Sequence, residues 1–137
     1  LIQLNERLQE KYRIIEAEEQ RAECLRMDDA DYAIVAFGIV ARLASMAVDN
    51  LREKGHRVGM IRPITLWPFP AKTFQRYPKV KGYLSVEMNE GQMVQDVRLN
   101  ADCAAKVRFY GHGGGWVPTP AAIEEQILKM VDGGDGA

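Results

Sequence analysis

An unbroken apolar run over residues 32–37, YAIVAF, stops at Gly38 and gives way at once to a different period. Such a run without alternation suits a strand covered on both faces, as the strands of a parallel sheet are. Past the glycine, Val40, Leu43, Ala44, Ala47, Val48 and Leu51 fall at i, i+3, i+4, i+7, i+8 and i+11, while Arg42, Asp49, Arg52 and Glu53 point elsewhere. That spacing predicts an amphipathic helix of about four turns. Gly55 supplies the left-handed residue that commonly ends a helix, residues 57–61 read as a second short strand, and Pro63 ends regular pairing. Strand, helix and strand make a βαβ crossover, a unit that is right-handed in nearly every case.

The rest of the chain repeats the alternation. Residues 83–88, YLSVEM, read as a strand running into a helix that Asn89 caps, with Gln92 three residues later in capping-box position and Val94, Val97 and Ala101 on the buried face. A further strand over residues 107–110 ends in GHGGGW, and Thr119 with Pro120 supplies a cap and first-turn proline for a last helix carrying Ile123, Ile127 and Met130. Before the central unit, residues 1–25 lack glycine and proline, and Leu4, Leu8, Tyr12 and Ile15 mark a narrow apolar seam on one long charged helix. Residues 24–27 read as a short edge strand, and MDDAD over residues 27–31 marks a break. The expected organisation is a connecting helix over residues 1–21, an α/β domain over residues 22–132 and a glycine-rich disordered tail over residues 133–137.

Strands alternating with helices predict a three-layer α/β/α domain built on a mostly parallel sheet. Ligands and partners of such domains meet the loops at the carboxyl ends of the strands. Here those loops are Gly38, residues 62–70, 87–92 and 111–118. In the second, Pro63, Pro68 and Pro70 stiffen the backbone while Leu66, Trp67 and Phe69 stay apolar. Those side chains either tuck under the sheet edge or anchor another subunit. A short helix over residues 70–77 follows.

A formal net charge of -1 gives no footprint for nucleic acid or an anionic membrane, and no apolar stretch nears the roughly 20 residues of a spanning helix. Cys24 and Cys103 stand in no metal or redox spacing, which fits ordinary thiols in a reducing, cytoplasmic setting. HGGG at residues 112–115 matches the oxyanion-hole sequence of some lipases, but Ser45 lies in a predicted helix and Ser85 in a predicted strand, neither in a G-x-S-x-G elbow. A phosphate cradle lacks both the GxGxxG and the Walker lysine, so the glycines serve first to turn the chain. Glu87 ends a strand and is a functional candidate, whereas Glu90 is placed to complement the following helix N-terminus. His56 and His112 have no second ligand at metal spacing.

Four blocks, VAFGIVAR, AVDNLREKGHRVGMIRPITLWPFP, SVEMNEGQMVQDVRL and YGHGGGWVPTP, together resemble the carboxyl-terminal domain (core domain II) of the alpha subunit of 2-oxoacid:ferredoxin oxidoreductases, nearest the 2-ketoisovalerate and 2-oxoglutarate types. The resemblance implies a transketolase carboxyl-terminal-like fold whose five-stranded mixed sheet has one antiparallel edge strand. It also implies an enzyme that decarboxylates a 2-oxoacid on thiamine pyrophosphate with magnesium. Electrons pass through an iron-sulfur cluster to ferredoxin, and the acyl group goes to coenzyme A. Two cysteines fall short of the four a four-iron cluster needs, and no diphosphate-and-magnesium motif is present, so no cofactor is assigned to this chain and no residue is assigned a catalytic role. The implied partners are an amino-terminal domain of the same subunit, a beta subunit, gamma and delta subunits, and ferredoxin through the complex. Trp67, Phe69, Glu87, Asn89, Gln92, His112, Gly114 and Trp116 are then candidates for an interface or the edge of an active-site channel. The competing reading is a stand-alone module that holds a small anion or nucleotide at Asn89 and GHGGGW. Relatives commonly place a small hydroxyl residue after the strand-end glycine, where this chain has Ile39, which removes a cap or anion contact at that turn.

Overall fold

A computed structural model describes residues 1–102 and 105–133. Cys103 and the tail residues 134–137 lie outside the described residues. Helix α1 (Ile2–Glu18) leads into strand β1 (Ala22–Leu25), and β2 (Tyr32–Val35), α2 (Gly38–Glu53) and β3 (Val58–Pro63) form the crossover. They are followed by α3 (Ala71–Gln75), β4 (Gly82–Glu87), α4 (Met93–Asn100), β5 (Lys106–Gly111) and α5 (Pro120–Val131). The sheet order is β1-β3-β2-β4-β5, with β1 antiparallel to β3 and the other pairs parallel.

Alternation along the buried strands divides the core in two. Ile34, Met60, Leu84 and Val86 point to one face, where α2 and α5 cover them with Ala44, Val48, Leu51, Ile123 and Ile127. Ala33, Val35, Ile61 and Tyr83 point to the other, against Phe74 of α3 and Met93 and Val97 of α4. Ala41, Ala44 and Ala47 let α2 lie close on the sheet, and full burial of a side chain such as Leu51 contributes about 1.5–3 kcal/mol. Burial pushes the Tyr83 phenol up to about 12.

Several boundaries differ from the sequence reading, among them three with a local cause. The edge strand lies at Ala22–Leu25 rather than residues 24–27, because Arg26 adopts a φ of 53° and turns the chain out of the ladder. Pro63 keeps a ladder position opposite Ala22, since a strand end tolerates the missing N–H. Helix α4 begins at Met93, later than a cap at Asn89 predicts. Gly55 does take the left-handed conformation, φ 88°, just past α2.

Arg52 in the last turn of α2 ties this first half together. Its Nε donates to the Val58 carbonyl (2.9 Å), its Nη2 to the Arg26 carbonyl (2.7 Å), and Nη1 and Nη2 grip both Asp29 oxygens (3.0 and 2.7 Å). That fork holds the Asp29 carboxyl below its ordinary 3.8, chiefly through the hydrogen bond from Arg52. A carboxylate with a depressed folded pKa contributes stability above its unfolded value, and the contribution is lost as pH falls through the folded one. The stability difference between the native chain and Asp29→Asn should therefore be full near neutrality and shrink below about pH 4, which urea unfolding at a series of pH values measures.

Candidate functional site

From β2 the chain crosses through α2 to β3 on one side, and from β4 it crosses through α4 to β5 on the other. The two helices cover opposite faces, so their first turns part at the carboxyl ends of β2 and β4, where open α/β sheets bind ligands. Phe37, Gly38, Ile39, Val86, Met88 and Asn89 line a mainly apolar crevice there of about 260 Å³. Ile39 is exposed at this turn, and α2 starts from Phe37 without any side-chain cap.

Glu87 closes the other wall. Only 1% exposed, its carboxylate accepts from Met93 N (2.5 Å), Val94 N (3.0 Å) and Ser85 Oγ (3.1 Å). A buried charge persists where hydrogen-bond donors converge on it, and two of these donors are the otherwise orphaned first amides of α4. The strand-end acid, not Asn89, is the helix cap. Asn89 Oδ1 instead accepts from Gly91 N (2.8 Å) and Gln92 N (3.0 Å), folding the loop back on itself, and Gln92 contributes its backbone rather than a capping-box side chain. Local capping rules look within three residues of the helix start, so an acid six residues earlier on a strand escapes them.

Glu90 also departs from its expected place at the helix N-terminus. Its Oε1 accepts from Gly113 N (3.1 Å), stapling the loop after β4 to the glycine loop after β5. In that second loop His112 Nδ1 donates to the Gly113 carbonyl (2.6 Å), and Trp116 stands edge-on to Tyr110, ring centres 5.2 Å apart, with the His112 ring at 6.4 Å. Gly114 has φ 71° and open space around it. Glu87, Asn89, Gln92, His112, Gly114 and Trp116 are thus gathered on the neighbouring loops after β4 and β5. Trp67 and Phe69 belong to the loop after β3 and point different ways. Phe69 tucks inward, stacked on Phe74 at 5.4 Å, while Trp67 stays 59% exposed, its ring in a T-shaped contact with Tyr12 of α1 at 5.8 Å. Among the described residues, no three His, Cys, Asp or Glu side chains gather as metal ligands, and no helix is long and apolar enough to cross a membrane.

Residues 30–123, which span the strand-end loops after β2, β3, β4 and β5, match the model of the pyruvate:ferredoxin oxidoreductase core domain II. The chain belongs to this family. Core domain II relatives include the ketoisovalerate oxidoreductase subunit VorB of Methanothermobacter thermautotrophicus, 43% identical over 132 residues that make up 96% of this chain and 37% of the relative. The 2-oxoglutarate synthase subunit KorA of Methanocaldococcus jannaschii is 37% identical over 100 residues, 73% of this chain and 27% of that protein. The chain therefore spans only about a third of the length of these relatives. In fold, this core domain II superposes on a 2-oxoglutarate:ferredoxin oxidoreductase from Magnetococcus marinus solved with 2-oxoglutarate, coenzyme A and succinyl-CoA, with a TM-score of 0.71, 24% identity, and coverage of 81% of this chain and 20% of that one. A split-gene transketolase in an inactive beta4 tetramer gives a TM-score of 0.67 at 17% identity, covering 82% of this chain and 41% of that one. The mixed five-stranded sheet with one antiparallel edge is the fold they share with it.

Proposed function

We propose that this core domain II is a non-catalytic assembly domain in the alpha subunit of a cytoplasmic, multisubunit, thiamine-pyrophosphate-dependent 2-oxoacid:ferredoxin oxidoreductase. The whole enzyme converts a 2-oxoacid and coenzyme A to acyl-CoA and carbon dioxide, with the electrons leaving to ferredoxin. One observation carries the non-catalytic part of the reading: at the loops after β4 and β5, backbone amides that could greet an anion are closed by the chain's own carboxylates, Glu87 at the start of α4 and Glu90 at Gly113. A diphosphate brought to either place would meet a negative charge already seated on the donors it needs. In this reading thiamine pyrophosphate, magnesium and the iron-sulfur cluster belong to other parts of the enzyme. The same observation weakens the reading as a stand-alone anion or nucleotide module.

The test is thermal unfolding of the purified chain, with magnesium plus thiamine pyrophosphate and separately with coenzyme A. A ligand at about 100 times its dissociation constant would stabilise the fold by roughly 2.7 kcal/mol. The expected result is no shift with either, alongside 2-oxoacid-dependent ferredoxin reduction once the rest of the subunit and the beta, gamma and delta subunits are supplied. A clear shift with either ligand would overturn the assembly reading in favour of a binding module.

A further inference from the structure

Helix α1 runs for 17 residues without burying one of them. Leu4, Leu8 and Tyr12 stand 56%, 38% and 44% exposed along one stripe, and the Tyr12–Trp67 contact joins that stripe to Ile64, Leu66 and Trp67, each about half exposed or more. Apart from the Tyr12–Trp67 contact, the hydrogen bonds from α3 that hold the helix gather at its carboxyl end. Lys72 Nζ donates to the Ala17 carbonyl (2.6 Å), and the Gln20 side chain accepts from Lys72 N (3.0 Å). Helices of this length are marginal in water without tertiary packing, and monomeric proteins seldom leave a contiguous apolar patch of this kind uncovered.

Two comparisons bear on what covers it. The family match begins at residue 30, so α1 is no part of the core domain II pattern. The alignment with the ketoisovalerate oxidoreductase subunit nevertheless leaves no more than five residues of this chain out, so it takes in most of α1, and it occupies only 37% of that relative. The α1 segment therefore aligns within a polypeptide that carries nearly two-thirds of its length elsewhere. We propose that α1 and the Trp67 loop form one docking surface, and that its occupant is the remaining portion of the same subunit polypeptide. That portion would receive the Leu4–Leu8–Tyr12 stripe in an apolar groove whose rim is polar and mixed in charge, as helix-in-groove recognition works. This rests on the reading of the chain as one domain of a longer subunit.

Hydrogen exchange tests it. In the chain alone, the α1 amides should exchange nearly as fast as unstructured ones while those of β2 and β4 stay protected. In the complete subunit, α1 exchange should slow by about 100-fold or more. Leu4→Glu combined with Leu8→Glu in the complete subunit should restore fast exchange in α1 and leave β2 and β4 unchanged. Three results would overturn the proposal: slow α1 exchange in the monomeric chain alone, α1 protection that appears only as chain concentration rises and so marks a second copy, or protection in the complete subunit indifferent to the double substitution. If α1 is protected as expected while the assembled protein oxidises no 2-oxoacid, the docking stands and the enzymatic reading falls.

Discussion

Glu87→Ala is expected to destabilise the chain by about 3–5 kcal/mol. It strips the acceptor from Met93 N–H, Val94 N–H and the Ser85 hydroxyl at a buried position. Each unmade buried bond costs about 1–3 kcal/mol, against about 5–15 kcal/mol for the whole of a domain's stability. Glu87→Gln keeps one acceptor oxygen and should cost about half as much. Removal of Glu90, whose bond to Gly113 is exposed, should stay within about 1 kcal/mol. Urea unfolding measures all three. A shifted midpoint at unchanged slope is the expected form, and an alanine variant as stable as the native chain would show that Glu87 does not cap α4.

The second large effect sits opposite Glu87 in the ladder. Gly111 pairs with Glu87 where β4 and β5 run side by side, and a Cβ placed there would lie 2.4 Å from the Glu87 carbonyl oxygen and 2.6 Å from a Phe109 ring carbon. The ring can swing, but the carbonyl is part of the sheet. Gly111→Ala should therefore prise β5 from β4 at its carboxyl end and cost about 3 kcal/mol. Gly114→Ala makes the contrast. Its surroundings are open and only its φ of 71° is strained, for about 1–2 kcal/mol. Chemical denaturation ranks the two, and equal costs would mean that backbone strain rather than the close approach decides at Gly111.

The sheet and its helices were legible because their signals are local and repeated. The apolar run at residues 32–37 predicts β2, the i, i+3, i+4 spacing predicts α2, and Thr119 with Pro120 predicts the start of α5, where Thr119 Oγ1 does accept from Ala122 N at 3.1 Å. The candidate site was legible as a set of loops but not as a set of roles. Glu87 takes the helix-start part that spacing assigns to Glu90, and Glu90 joins two loops instead, because each is claimed by a donor the sequence cannot locate: one by a helix start six residues on, the other by a glycine 23 residues on. The Arg52 clamp was equally hidden, since its four hydrogen bonds reach across the crossover to Asp29, Arg26 and Val58, which come together only when the fold closes. Loop 64–70 could not be divided from its sequence, because Phe69 finds Phe74 beneath it while Trp67 stays exposed beside Tyr12.

The crossing of the chain from one side of β2 to the other also sets an order in time. The face of the sheet under α2 is completed by Ile123, Ile127 and Met130 of α5, and Glu124 of α5 reaches back to Asn50 and Lys54 of α2 at 3.2 and 3.3 Å. As the chain emerges from a ribosome, β2, α2 and β3 are ready first, yet part of the apolar cover on the α2 face is the last helix to be made. Until then, the early half waits with that face incompletely covered, and synthesis halted before α5 leaves a polypeptide with all five strands, the core under α3 and α4, and the α2 face still open beside the helix.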